Sequence, residues 1–276
     1  MKVLLDGDMI AYKAAENAIF RLVTNDEVIV CQTDPKEAWI NYNKQVEGIA
    51  LALDVDPETD IWHCFTDRSM FRRELSPDYK ANRKSPKPMG FSELKAKALE
   101  LPWSFMHRAV EADDLIGIFA TQLQAQREPV VICSGDKDLL QIPGYHYWPE
   151  PMWGSKSKQQ LREWFNDQAM DELTPHLFNI PNHAAERFFW AQALAGDSVD
   201  GIAGVPGMGM VRATKEVGSW DVEDAMGCWE KTVQLFAKKG GSEDHAKTQA
   251  RLVRILRNDE YDLHTSTVQV WNPPTK

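Results

Sequence analysis

Three apolar runs in this chain stop at carboxylates: LLDGD at residues 4–8, HCFTD at 63–67 and VICSGDKD at 131–138. Short apolar runs bounded by turn residues read as buried strands. Lys2–Leu5, Glu27–Gln32 and Ile61–Phe65 are strand candidates on the same grounds. The intervening segments have helical spacing. Asp34-Pro35-Lys36-Glu37 starts a helix, with Asp as N-cap and Pro at the first helical position, and that helix should reach about Leu53. Phe91–Leu101 reads as helix, and Glu111–Gln124 carries Leu115, Ile116, Phe119 and Leu123 at helical spacing. Alternating strands and helices predict an α/β domain around a mostly parallel sheet. Ligands of such sheets bind beyond the carboxyl ends of the strands. The fold therefore gathers Asp6, Asp67, Asp136 and Asp138 along one edge.

Further acids join them. Glu111, Asp113 and Asp114 open a helix, and Asp197 and Asp200 follow another over Asn182–Ala195. Singly, each has an ordinary reading, because acids favour helix N-termini and turns. Together, nine carboxylates on one edge repel one another unless cations neutralise them. Oxygen ligands suit hard divalent ions, Mg²⁺ or Mn²⁺.

Two more stretches bear on a partner. Gly204-Val205-Pro206-Gly207-Met208-Gly209 precedes a helix expected to begin near Met210. This is a helix-hairpin-helix pattern, in which glycines expose N–H groups at a helix N-terminus where phosphates bind. Residues 67–91 carry Arg68, Arg72, Arg73, Lys80, Arg83, Lys84 and Lys87, with Pro77, Pro86 and Pro88. If helical there, Lys80 and Arg83 would share one face, exposed to solvent. After about residue 160, strand signals nearly vanish until Thr267–Trp271.

The bulk numbers narrow the class. With 43% hydrophobic residues in 276, the chain should fold, and no apolar run is long enough to span a membrane. The N-terminus meets acids at once and lacks a signal-peptide core. Four dispersed cysteines form no CxxC, as expected of reduced thiols in a cytoplasmic protein. A net charge of -10 argues against coating nucleic acid nonspecifically, but a nuclease needs clustered acids of its own.

The ordered set LLDGD, FTD, YKANR, EADD, SGDKD and GDSVDGIAGVPGMG resembles the flap endonuclease / 5′-nuclease superfamily, and within it the stand-alone 5′→3′ exonucleases of podophages. The ending RLVRILRNDEYDL…VQVW fits the same group. The resemblance implies a PIN-like 5′-nuclease core over residues 1–180, including basic segment 67–91. It implies a C-terminal helical helix-hairpin-helix region over residues 181–276, packed on the core as one unit. It implies metal-binding roles for Asp6, Asp67, Glu111, Asp113, Asp114, Asp136, Asp138, Asp197 and Asp200, which would hold two divalent ions. Tyr79, Lys80 and Arg83 would grip the scissile phosphate. Gly204, Val205, Gly207 and Gly209 would hold duplex DNA, with K⁺ bound at the hairpin. The role of Asp8, beside the motif acid, is left open.

The implied activity is metal-dependent 5′→3′ exonuclease action on duplex DNA from ends or nicks, with flap endonuclease and RNase H-like activity on RNA–DNA hybrids beside it. The setting would be the host cytoplasm, with replication proteins as partners and no membrane. The short, proline-bearing segment after Asp67 implies a reduced arch. Two rival readings remain. VLLDGDMI also resembles the nucleophile loop of haloacid dehalogenase-type phosphatases, but their later GD motif follows a strand, whereas Gly196-Asp197 follows the helical FFWAQALA. A non-catalytic helix-hairpin-helix DNA-binding protein would leave the acids unexplained.

Overall fold

The computed structural model describes residues 1–23, 29–83, 85–149, 164, 171–174 and 176–275. At its centre, strand β1 (Lys2–Asp6) lies parallel between β4 (Ile61–Cys64) and β6 (Val130–Cys133). Flanking these are β5 (Ser104–Phe105), parallel to β4, and β7 (Gly144–Tyr147), parallel to β6. Beyond β7 come β9 (Leu177–Ile180) and β8 (Asp171–Glu172), giving the order β5-β4-β1-β6-β7-β9-β8. A second hairpin, β2 (Ile19–Val23) with β3 (Ile29–Thr33), and a third, β10 (Tyr261–Asp262) with β11 (Thr267–Val268), stand outside this sheet.

Successive side chains of a strand point to opposite faces, and β1 shows what this accomplishes. Val3 and Leu5 pack with Ile10 and Ala14 of α1 (Gly7–Asn17), Tyr42 and Ile49 of α2 (Pro35–Leu53), and Leu94 of α4 (Phe91–Ala98). Leu4 packs the other way, against Leu115, Ile116 and Phe119 of α5 (Ala112–Ala125). The sheet is thus covered on both faces, as a parallel sheet must be. A short helix α3 (Arg72–Leu75) lies in the basic segment.

The C-terminal part is helical: α6 (Asn182–Ala195), α7 (Met210–Val217), α8 (Ala225–Ala237) and α9 (Glu243–Val253). They share a core of Phe189, Leu194, Ala213, Trp229 and Phe236, against which Trp271 is packed. Among the described residues no helix is long and apolar enough to cross a membrane. All four cysteines are free, and Cys64, Cys133 and Cys228 are buried.

The expected helix boundaries at Asp34, Leu53, Asn182, Ala195 and Met210 match the structure. Three expectations need correction. β9 falls where no strand was expected; LFNI is short and followed by Pro181, and antiparallel pairing with β7 rather than β-branched content makes it a strand. The candidate at Glu27–Gln32 enters the β2–β3 hairpin instead of the sheet, with residues 27 and 28 outside those described. Lys80 and Arg83 share no helix, because Lys80 sits in a left-handed turn at φ 56°. Lys84 lies outside the described residues.

Candidate active site

The parallel order of β4, β1 and β6 carries their acid-bearing ends to one edge, where they line a cleft of about 1420 Å³. Asp6, Asp113 and Asp136 form its floor. Asp6 ends β1 and caps α1, accepting from the Met9 N–H at 3.0 Å and from Ser134 Oγ at 3.2 Å. Asp113 lies in the first turn of α5, and Asp136 caps the single 3₁₀ turn Lys137–Gln141. Among the described residues none of the three has an ion-pair partner. Burial, then the neighbouring charge of Asp8, pushes Asp6 up to about 7. Burial and Asp138 push Asp136 up to about 6. Asp113 is raised well above the carboxylate range by burial, then by Asp136 and Asp6. Three mutually repelling carboxylates in a low-dielectric floor call for a cation.

Four further acids, Glu111, Asp138, Asp197 and Asp200, are already paired with cations. Glu111 caps α5 and is paired with Arg72 at 3.0 Å, with the Lys80 ammonium, and with the Tyr79 hydroxyl at 2.7 Å. Its burial is outweighed by Arg72 and Lys80, which hold its proton affinity low. Asp200 is paired with the Arg83 guanidinium and lies 3.6 Å from Lys80 Nζ. Asp138 and Asp197 share Lys137, at 2.8 and 2.7 Å. As they stand, no group of three or more His, Cys, Asp or Glu side chains among the described residues could hold a metal ion. The lysines and Arg83 occupy oxygens that an ion would use. The carboxylates of the floor offer only oxygen, the donor that a hard divalent ion takes.

Four of the expected site residues take other parts. Asp114 is fully buried, faces away from the cleft and is bound by both terminal nitrogens of Arg72, at 2.6 and 2.7 Å, so it is structural and not a metal ligand. Asp67 lines the cleft, but its carboxylate is turned onto its own loop, accepting from Ser69 N at 3.1 Å and Ala109 N at 3.3 Å. Tyr79 is buried and its hydroxyl is spent on Glu111, so it positions that acid instead of gripping phosphate. Lys80 is not the exposed cation expected, since its side chain is 14% exposed between Glu111 and Asp200. Arg83, at 52%, does face the opening.

The hairpin divides in the same way. Gly204 is buried at φ 62°, and a Cβ there would lie 2.4 Å from Ala195 carbon, so this glycine serves close packing. Val205 is in the core. Gly207 at φ 78° and Gly209 are exposed, with nothing within 4 Å of a Cβ at either. Within the hairpin, these two glycines leave their backbone open to solvent.

Two residues gain roles that the sequence left open. Asp8 accepts from Thr66 N at 2.9 Å and from Lys95 Nζ at 2.8 Å, while Lys95 reaches the Thr66 carbonyl at 2.6 Å. Thr66 Oγ1 in turn accepts from Ala112 N at 3.0 Å. This knot ties α1, the loop after β4, α4 and the start of α5 together beside the floor. Arg72 went unnoticed because a buried arginine and a surface one look alike inside RREL.

A model of the "5′-3′ exonuclease, N-terminal resolvase-like domain" family matches residues 2–163. The exonuclease of Escherichia phage T7 is 25% identical over 301 residues, covering 98% of this chain and 93% of that protein. Flap endonuclease Xni of Vibrio campbellii is 30% identical over 198 residues, covering 68% of this chain and 69% of its own. The T5 D15 protein, co-crystallised with metal ions, superposes with a TM-score of 0.61 at 18% identity, over 91% of this chain and 88% of that one. A T5 D15 flap endonuclease structure with DNA and metal ions gives 0.59 at 19% identity, with the same coverage.

Proposed function

This chain belongs to the 5′-3′ exonuclease family, and from that premise we propose that the cleft hydrolyses phosphodiester bonds of duplex DNA from 5′ ends and nicks, using Mg²⁺ or Mn²⁺ held on Asp6, Asp113 and Asp136. The enzyme is a 5′→3′ exodeoxyribonuclease that depends on divalent cations. The observation that carries the assignment of residues is the floor itself: three carboxylates, without ion-pair partners among the described residues, brought together by the ends of β1 and β6 and the first turn of α5.

Bound there, divalent ions supply an acidified water and a counter-charge for the phosphate. The chain's own residues do the rest. Arg83 stands at the opening and Lys80 behind it, so that negative charge growing on the phosphate meets cations already in place. Tyr79 and Arg72 fix the Glu111 carboxylate against Lys80. Gly207 and Gly209 present open backbone before α7, and α7 with its neighbours (residues 181–276) holds the duplex beyond the cut through phosphate contacts that ignore sequence. K⁺ at the hairpin, flapped substrates, RNA–DNA hybrids and association with replication proteins belong to the same reading.

The test is digestion of 5′- and 3′-labelled duplex, nicked and flapped DNA with Mg²⁺. Label should leave the 5′ end first, EDTA should stop the reaction, and Asp136→Asn should stop it while far-ultraviolet circular dichroism stays unchanged. Release from 3′ ends, or cleavage by Asp136→Asn, overturns the assignment.

A further inference from the structure

Lys137 separates the two acids of the GDKD turn, and its side chain bridges two parts of the protein. Nζ lies 2.8 Å from Asp138 Oδ1, on the 3₁₀ turn after β6, and 2.7 Å from Asp197 Oδ2, in the turn after α6. The same Asp138 oxygen accepts from Gln192 Nε2 at 2.5 Å, and the other Asp197 oxygen accepts from the Val199 N–H at 2.8 Å. Both carboxylates are thus oriented toward a shared point, and an ammonium sits at it.

The contrast with the floor is sharp. Asp6, Asp113 and Asp136 have no ion-pair partner among the described residues, whereas Asp138 and Asp197 have one cation between them. We propose that Lys137 is a tethered stand-in cation: it neutralises Asp138 and Asp197 in the metal-free protein, and a second divalent ion binds between them only by displacing it. Lys137 thereby sets the concentration at which the second ion enters. The inference rests on the divalent-ion reading of the floor given above.

Exposure says which bridging lysine yields. Lys80 is 14% exposed and lies over the Tyr79 ring, held by Glu111 and Asp200. Lys137 is partly desolvated as well, but at 38% exposed its ammonium has an open way to water that Lys80 lacks. Strong hydration makes an ammonium a good leaving partner here, where a guanidinium would cling to both acids. The two ion sites are therefore unequal by construction. The floor binds first because no side-chain cation among the described residues pairs with it, and the outer pair binds later because a lysine already serves it.

The experiment counts Mn²⁺ ions on the full chain by calorimetry and electron paramagnetic resonance, with wild type, Lys137→Met, Lys137→Gln and Lys137→Arg. Wild type should bind one ion tightly and a second weakly. Lys137→Met should tighten the second by about tenfold, the equivalent of losing two partly screened ion pairs. Lys137→Gln should do the same, which guards against a folding defect in the methionine variant. Lys137→Arg should bind the second ion more weakly than wild type. In EDTA the two uncharged variants should melt below wild type, and Mg²⁺ should close the gap. Unchanged or weakened second-ion affinity in the uncharged variants, with the first ion intact, overturns the role of Lys137 alone. A wild-type protein that binds no Mn²⁺ overturns the reading of the floor together with it.

Discussion

Arg72 allows the strongest test of how the acids are sorted. Its side chain is 3% exposed, and its three nitrogens donate to Glu111, to both oxygens of Asp114, and to the carbonyls of Leu252 and Arg254. Arg72→Met keeps most of the volume and removes the charge. It leaves Asp114 at 0% exposure and Glu111 at 7% with one fewer cation. Removing one partner of a buried pair costs about 3–5 kcal/mol, because the other charge stays buried. Two carbonyls also lose a donor, so the upper end applies, against a total stability of about 5–15 kcal/mol for a typical domain. Asp114→Asn should also destabilise, since its amide keeps one oxygen for only one of the Glu111 and Leu256 N–H groups and turns an NH2 toward the other. The double variant should be more stable than the sum of the two losses predicts, by about 2 kcal/mol or more. Urea unfolding at pH 7.5 measures all three. Bound Mn²⁺ should be unchanged in Asp114→Asn, because that acid faces away from the cleft. A loss below about 1 kcal/mol for Arg72→Met, or loss of Mn²⁺ from folded Asp114→Asn, refutes the reasoning.

Other consequences can be measured directly. Lys80→Ala and Arg83→Ala should each slow single-turnover cleavage by about 10²–10³, but Lys80→Ala should lower stability more, by about 1–2 kcal/mol, because Lys80 serves both buried Glu111 and buried Asp200 whereas Arg83 serves Asp200 alone; equal stability in both variants would contradict that difference. Gly209→Leu meets open space at ordinary φ, so it should fold within about 1 kcal/mol of wild type while weakening affinity for duplexes of any sequence; unchanged filter-binding affinity would make the hairpin a plain turn. His63 and His146 are each pushed by burial down to about 4, so the folded form stays neutral where the unfolded chain, near 6.5, takes up protons. Their stabilisation is complete above pH 6.5 and drains as pH falls toward 4, by about 2 kcal/mol per histidine at pH 5; His146→Gln should flatten that slope in urea titrations, and an unaltered slope would show that His146 titrates normally.

How much was legible in the chain follows from the range of the forces involved. Helix starts such as Asp34-Pro35 are local devices, and the structure repeats them residue for residue. The convergence of Asp6 and Asp136 was legible too, because strand ends and parallel order follow from pattern alone; Asp113 reaches the same cleft from the first turn of a helix. What stayed hidden was which acid keeps its charge free. Asp113 and Asp114 are adjacent and chemically identical, and helix geometry turns one to the cleft and the other to Arg72. That choice depends on a partner forty-two residues away and on carbonyls near residue 252. The turn at Lys80 is set likewise by a distant contact, its N–H on the Asp200 carbonyl at 2.9 Å. Position in a motif names the residues at an active site; only packing tells which of them do chemistry and which hold the others still.

Trp271 bears on the order in which a chain made from its N-terminus becomes competent. Its ring closes on Phe189, Trp190 and Trp229 with centroids 5.6, 6.1 and 6.0 Å apart. Phe189 and Trp190 belong to α6, the helix whose end presents Asp197 and Asp200. A nascent chain that has not yet released residue 271 from the ribosome has all the strand-end acids but lacks the last ring of the cluster that seats α6. The floor acids can therefore gather before residue 271 is made, while α6, which presents the outer acids, gains this aromatic contact only after it.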